Sequence, residues 1–229
     1  MVSFSPADYS AIFLSLKVGV TATLLSLPFG YVAAYLLTFK EFRGKTVLDG
    51  VVNLPLVLPP VVVGYLLLLL LGVNGWLGHL LAAAGIRIIF TWRAAVISSA
   101  VVGFPLLVRS IRVGMEGIDA RLIQASRTLG AEWYDTLVTI ILPLSFRGIV
   151  AGSSLMFARS LGEFGATIIV AGNIPGVTRT IPLAIYDYAG APGGDAMALA
   201  LCLVSVVISL AVLILHESLG VRLARRDRP

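Results

Sequence analysis

Three stretches of this chain each run for about one membrane thickness without a single charge. Val18–Phe39 gives 22 such residues, Val51–Leu71 gives 21 and Ala196–Leu215 gives 20. A helix rises 1.5 Å per residue, so about 20 apolar residues cross the roughly 30 Å hydrocarbon core of a bilayer. Composition points the same way: 58% of residues are hydrophobic and only 13% are charged, against about 25% charged in soluble domains. A soluble core of this size cannot hide so much apolar surface. The expected class is an all-α integral membrane protein, not a secreted disulfide domain, a disordered chain or an ordinary cytosolic enzyme. The net charge of +5 does not point to nucleic acid, because no basic stripe interleaved with aromatics accompanies it. Cys202 is the one cysteine and lies in an apolar run, so no intrachain disulfide or cysteine-based metal site is possible.

Two further spans are expected. One covers Ala94–Val108, extended at one end, and one runs from Gly148 to about Val170 and contains Arg159 and Glu163. That makes about five transmembrane helices in a single domain, residues 1–229. Thr136–Phe146, at 11 residues, is too short for a sixth. The opening MVSFSPADYS carries no basic n-region, so the first apolar run is expected to stay as a helix and not to be cleaved as a signal peptide. In a five-span chain, Lys40, Arg43, Lys45, Arg109, Arg112, Arg121, Arg127, Arg147, Arg222, Arg225, Arg226 and Arg228 fall on one side, 12 of the 17 Lys and Arg. The positive-inside rule makes that side cytoplasmic, with the N-terminus outside and the C-terminus cytoplasmic. Ala171–Asp195, rich in Pro and Gly, is expected as outer loop and short turns.

Residues 115–145, between the third and fourth spans, are too patterned for a connector. Ile118, Leu122, Ala125 and Leu129 recur at helical spacing on one face. Asp119 is placed to cap that helix, and Gly130 to end it in the left-handed conformation. Glu132 and Asp135 suit the first turn of a second helix, which Pro143 limits or kinks. Two readings stay open. The pair lies on lipid headgroups with Trp133 and Tyr134 as anchors, or it is a knob whose apolar stripe enters a partner's groove.

Polar residues within the spans are the other signal. Arg159 and Glu163 sit near the expected midplane, where each charge costs at least ~2.5 kcal/mol on insertion scales. One reading is a buried ion pair that fixes packing; the other is a pathway lining in which Arg159 offers its fork to an oxyanion. Asn53, Pro55, Pro59 and Pro60 suggest a broken helix beside a pathway, or a packing kink. Gly148, Gly152, Ser153, Ser154, Ser160, Gly162 and Gly165 suggest close helix packing, against a second copy or within one subunit. In the outer segment, Asn173 and Arg179 are candidates to meet an anion or a delivery protein, or are ordinary solvated loop residues. His79, His216 and Cys202 show no ligand spacing and are expected to be structural.

The run QASRTLGAEWYDTLVTIILP resembles the EAA loop of ABC-importer permeases. Gln124, Ala125, Ser126, Gly130, Ile140, Leu142 and Pro143 keep every spacing of that pattern. Gln124 stands for the family's acidic residue and Ser126 for its second Ala. The strings LPLVLPPVVVGYLLL, FPLLVRSIR and FARSLGEFGATIIVAGNIPGVTRTIPLAIY are similar to molybdate/tungstate permeases, and the last is shared in part with sulfate/thiosulfate permeases. This resemblance implies that residues 115–145, from Glu116 and Asp119 onward, form a coupling loop. It implies a homodimeric pathway, two ABC ATPase subunits that bind the ATP and Mg, and an extracytoplasmic molybdate-binding protein, all in a bacterial inner membrane. The chain itself would carry no cofactor and no catalytic site. Gly44-Lys45-Thr46 ends like a phosphate loop, but the leading glycine position holds Phe39. A self-contained anion channel or ion-coupled carrier is the competing class, and it would need no docking knob.

Overall fold

A computed structural model describes residues 4–226, all in helices and their connections. Arg228 lies outside the described residues, as do the side chains of His216, Arg222, Arg225 and Arg226. Helix α1 spans Pro6–Phe39. It starts at a reciprocal cap: the Ser5 hydroxyl accepts from the Asp8 amide at 3.3 Å and the Asp8 carboxylate accepts from the Ser5 amide at 2.8 Å. Helices α2 (Lys45–Val57) and α3 (Pro60–Leu71) follow, then the short α4 (Trp76–Ala83) and the long α5 (Trp92–Glu116).

The expected single span Val51–Leu71 is instead a bent pair. The axes of α2 and α3 differ by 116°, and the reason is the Pro59-Pro60 dipeptide. A residue before proline is driven out of the helical region, and both Leu58 (ψ 141°) and Pro59 (ψ 137°) are extended. The fourth span is also interrupted. Helix α9 (Phe146–Leu161) stops at Gly162, and Gly165–Val170 form a separate α10. Among the described residues, three helices are long and apolar enough to cross alone: Pro6–Phe39, Trp92–Glu116 and the first 21 residues of α12 (Asp195–Arg226). The number, again among the described residues, rises to five if two bent pairs, Lys45–Val57 with Pro60–Leu71 and Trp133–Leu144 with Phe146–Leu161, each count as one span. The outer segment is more ordered than loop and turns, because it contains α11 (Ile181–Ala189).

The core is the triple contact of α1, α5 and α9, built on Leu37, Leu107, Ile111, Met115 and Met156, all fully buried. The small residues of α9 make this contact possible. A Cβ on Gly148 would lie 2.7 Å from the Ser110 carbonyl and 3.0 Å from the Gly114 Cα. Gly152 likewise abuts the Leu107 carbonyl. The Gly148–Gly152 step therefore packs on α5 of the same chain, the within-subunit alternative. Helix α12 leaves a row of large apolar side chains uncovered, from Leu199 to Leu215, as a helix facing lipid does.

Because the facing atoms at Gly148 are backbone, they cannot rotate away. Gly148→Val is expected to destabilise the α5–α9 contact by about 1–3 kcal/mol, seen as a lower thermal midpoint of the detergent-solubilised chain. An unchanged midpoint would mean that the two helices are not in contact here.

Candidate functional sites: a protruding knob and a double helix break

The patterned loop folds as two helices at the end of α5. Helix α6 (Ala120–Thr128) is capped by Asp119, whose carboxylate accepts from the Arg121 amide at 2.9 Å. The Arg121 guanidinium folds back on the same carboxylate at 2.7 Å and holds its pKa below the ordinary value. The helix ends at Gly130, whose φ of +90° is the left-handed region that glycine enters without strain. Glu132 and Asp135 form the reciprocal cap of α7 (Trp133–Thr136). The chain continues through a π-helical turn, Leu137–Ile141, and a short α8, Leu142–Leu144, into α9 after a 64° bend. Pro143 lacks the amide that would bond one turn back, which accounts for irregular winding just before it.

The apolar stripe divides between two directions. Ile118 packs on the core together with Ile123 and Leu137, while Leu122 is 47% and Leu129 87% exposed. Gln124 and Ala125 share the open side. Leu129, at a glycine-stopped helix end, is left largely uncovered by the described residues. The two departures from the family pattern behave differently. Ser126 hydrogen-bonds the buried Thr136 hydroxyl at 2.8 Å and ties α6 to α7; an alanine there could not. Gln124 lies on the rim of a roughly 260 Å³ hollow with Tyr35, Lys40, Arg127 and Trp133. Ile140 is half-buried, and Leu142 and Pro143 are exposed. Glu116 is the last residue of α5 and faces Arg112 at 3.5 Å, so it belongs to the base of the knob.

The second site is where two helix breaks meet. Gly165, opening α10, lies so close to α3 that its Cβ would sit 2.9 Å from the Pro60 Cβ. A Cβ on Gly64 would be 2.8 Å from the Ala166 backbone. The Pro59-Pro60 break and the Gly162–Phe164 break are therefore side by side. Arg159 and Glu163 do pair, at 2.8 Å, but Glu163 is in the break and not on the helix face where continuous winding would put it. Its other oxygen accepts from the Ala166 amide at 2.8 Å. Glu163 is 2% exposed, whereas the Arg159 side chain keeps 31%. One carboxylate thus joins the end of α9 to the start of α10, and the guanidinium is the more exposed partner of the pair. Ser98 and Thr167 hydrogen-bond at 3.0 Å and hold α10 to α5, a contact the sequence pattern did not single out.

The other pathway candidates are elsewhere. Asn53 donates to the Asp49 carbonyl and carboxylate at 2.8 and 3.0 Å, and Arg112 donates to Asp49 at 2.8 Å. These three staple α2 to α5, so Asn53 is separate from Arg159. Pro55 lines a 420 Å³ apolar cavity with Val51, Phe29 and Phe104. Asn173 and Arg179 are brought together, with Arg179 Nε donating to Asn173 Oδ1 at 2.8 Å. Both also bind Asp187 on α11: Asn173 donates at 2.7 Å and Arg179 forms an ion pair. Asp187 was missed by sequence reasoning, since only the helical turn of α11 carries it back to Arg179. Beside it, Tyr188 donates to Asp8 at 2.9 Å, and burial, then this bond, raise its pKa.

A double-mutant cycle of Arg159→Met and Glu163→Gln is expected to give a coupling energy of about 1–3 kcal/mol in unfolding. Strict additivity would mean that the pair does not hold the break together.

Comparison with known proteins adds to this geometry. The family model described as "Binding-protein-dependent transport system inner membrane component" matches residues 26–225. The Molybdenum transport system permease protein ModB of Escherichia coli (strain K12) is 51% identical over 214 residues, covering 93% of each chain. The Sulfate transport system permease protein CysW of Synechococcus elongatus is 37% identical over 218 residues, 95% of this chain and 76% of that one. Among solved structures, the bacterial alginate ABC transporter in complex with an alginate-pentasaccharide-bound periplasmic protein aligns with a TM-score of 0.75 at 16% identity, covering 95% and 80% of the two chains.

Proposed function

The chain belongs to the family of binding-protein-dependent transport system inner membrane components, and from that membership we propose that it is the permease of an ATP-driven importer of molybdate. It is a multi-pass inner-membrane protein and a transport component. The 51% identity to a molybdenum permease over 93% of both chains carries the choice of solute. Sulfate is the weaker reading, at 37% identity to a permease that is longer than this chain. Tungstate shares molybdate's tetrahedral oxyanion chemistry and belongs to the same reading.

In the assembly proposed, two copies of this chain form the pathway, two ABC ATPase subunits bind ATP and Mg, and an extracytoplasmic binding protein delivers the anion. The N-terminus is outside and the C-terminus cytoplasmic, as the distribution of basic residues favours. The open face of Leu122, Ala125 and Leu129 enters a cleft of the ATPase. Force on α6 reaches α7 through the Ser126–Thr136 hydrogen bond, then passes along the π-turn and α8 into α9. Arg159 lies in the last turn of α9, so movement of the knob displaces the end of the helix that carries the guanidinium. Arg159, with donors to spare, is the group placed to meet the anion; Glu163 neutralises it between passages. Asn173 and Arg179, bound to Asp187, brace the outer segment.

Uptake of labelled molybdate, tungstate and sulfate by the reconstituted complex tests the reading. Saturable uptake of molybdate or tungstate that requires ATP and the ATPase subunits is expected. Uptake by this chain alone would establish a channel or carrier instead. At the knob, Leu129→Asp places a charge on the docking face, and Ala125→Trp adds bulk there. Each is expected to lower ATPase co-purification at least ten-fold, equivalent to about 1.4 kcal/mol, with membrane insertion intact. Undiminished co-purification of both would remove the docking assignment.

A further inference from the structure

Outside the knob and the double break, a furrow runs between α1, α2 and α5. Its main cavity, 420 Å³, is walled by Leu25, Phe29, Val51, Pro55, Val96 and Phe104. A second cavity of 230 Å³ shares Leu25, Val96 and Ile97 with the first, and continues it to Trp92 and Arg93 at the start of α5. On α1 the furrow runs from Thr21 to Phe29, eight residues or about 12 Å. That is close to half of the roughly 30 Å hydrocarbon thickness, the depth of one leaflet.

The two ends of the furrow differ. Its inner stretch is apolar, whereas its outer mouth carries two exposed cations. Lys17 rests 3.9 Å over the Trp92 ring centroid, and Arg93 is the next residue. Among the described residues, neither makes an ion pair with a carboxylate. Tryptophan with Lys and Arg at a helix end is the arrangement found at headgroup level. A second copy of the chain packed over the furrow would bury these cations without a counter-charge, at a cost of several kcal/mol per ion. An anionic amphiphile satisfies both ends at once.

We propose that this furrow holds one acyl chain of a phospholipid, whose phosphate is bound at the outer mouth by Lys17 and Arg93. The site is independent of the transported anion. Bound there, the lipid fills the gap between α1 and the α2–α5 pair and ties the bent α2–α3 pair to the rigid core.

Trp92 reports on the site directly. The full chain carrying Trp76→Phe and Trp133→Phe, which leaves Trp92 as its one tryptophan, is placed in nanodiscs of fixed total lipid. Brominated phosphatidylglycerol or brominated phosphatidylcholine is then titrated in, and Trp92 fluorescence is read. Quenching that saturates at low mole fraction, and at lower mole fraction for phosphatidylglycerol, is expected. Lys17→Gln and Arg93→Gln should each reduce that headgroup preference about five-fold. Ala100→Phe, which fills the furrow wall while leaving both cations, should abolish the saturable phase. Quenching that is linear and equal for both lipids means ordinary annular contact and overturns the proposal. Absence of quenching means that protein covers the furrow, and it overturns the proposal equally.

Discussion

Glu163 is a carboxylate at 2% exposure in a chain surrounded by lipid, and the arrangement of the outer half depends on how it is neutralised. An unpaired charge there would be prohibitive, so the chain must bring a guanidinium and an amide to it. Arg159 comes from the end of α9 and the Ala166 amide from the start of α10. With both in place, the helix can stop and restart inside the membrane without leaving backbone groups exposed to lipid. The restarted helix then packs on α3 through Gly64 and Gly165, beside the break forced by Pro59 and Pro60. Remove the carboxylate and the two halves of the span lose their only ionic connection among the described residues.

From this point the structure reads as one connected lever. Helix α9 is rigid against α5 because Gly114, Gly148 and Gly152 let the backbones approach closely. At its other end a 64° bend, a π-turn and the Ser126–Thr136 hydrogen bond link it to α6, whose outward face of Leu122, Ala125 and Leu129 is exposed. At its outer end is the guanidinium. A permease must translate a nucleotide-driven movement at one surface into a change at depth, and a stiff helix with a soluble handle suits that requirement. Dividing the span at Gly162–Phe164 places its interruption beside the end of α9 that carries Arg159.

Much of this was legible in the residues, and what was not has physical causes. Two of the three charge-free runs, Val18–Phe39 and Ala196–Leu215, lie in helices that cross alone, whereas the third, Val51–Leu71, holds the bent pair. Asp119 and Gly130 marked the ends of α6 correctly, since capping and left-handed φ are local properties. The breaks were only half visible. Pro59-Pro60 announces an interruption, but the 116° angle depends on what α3 packs against. The break after Leu161 carries no proline, only Gly162, and the Glu163 beside it reads equally well as one turn of a continuous helix from Arg159. Helix α11 was hidden by flanking Pro and Gly, and with it Asp187, which engages Asn173 and Arg179. Which way the small-residue face of α9 points is a tertiary fact, and it points at α5.

If Arg159 meets the anion as proposed, the anion's route borders the break at Gly162–Phe164. The most direct measurement is thiol accessibility at Gly162, which is exposed and has no atom closer than 4.0 Å to a built Cβ. In a Cys202→Ser background, the Gly162→Cys variant of the assembled importer is treated with a charged, membrane-impermeant thiol reagent, with and without molybdate. The account predicts labelling that molybdate slows in a concentration-dependent manner. No labelling, or labelling indifferent to molybdate, would place the break against lipid or protein and contradict it.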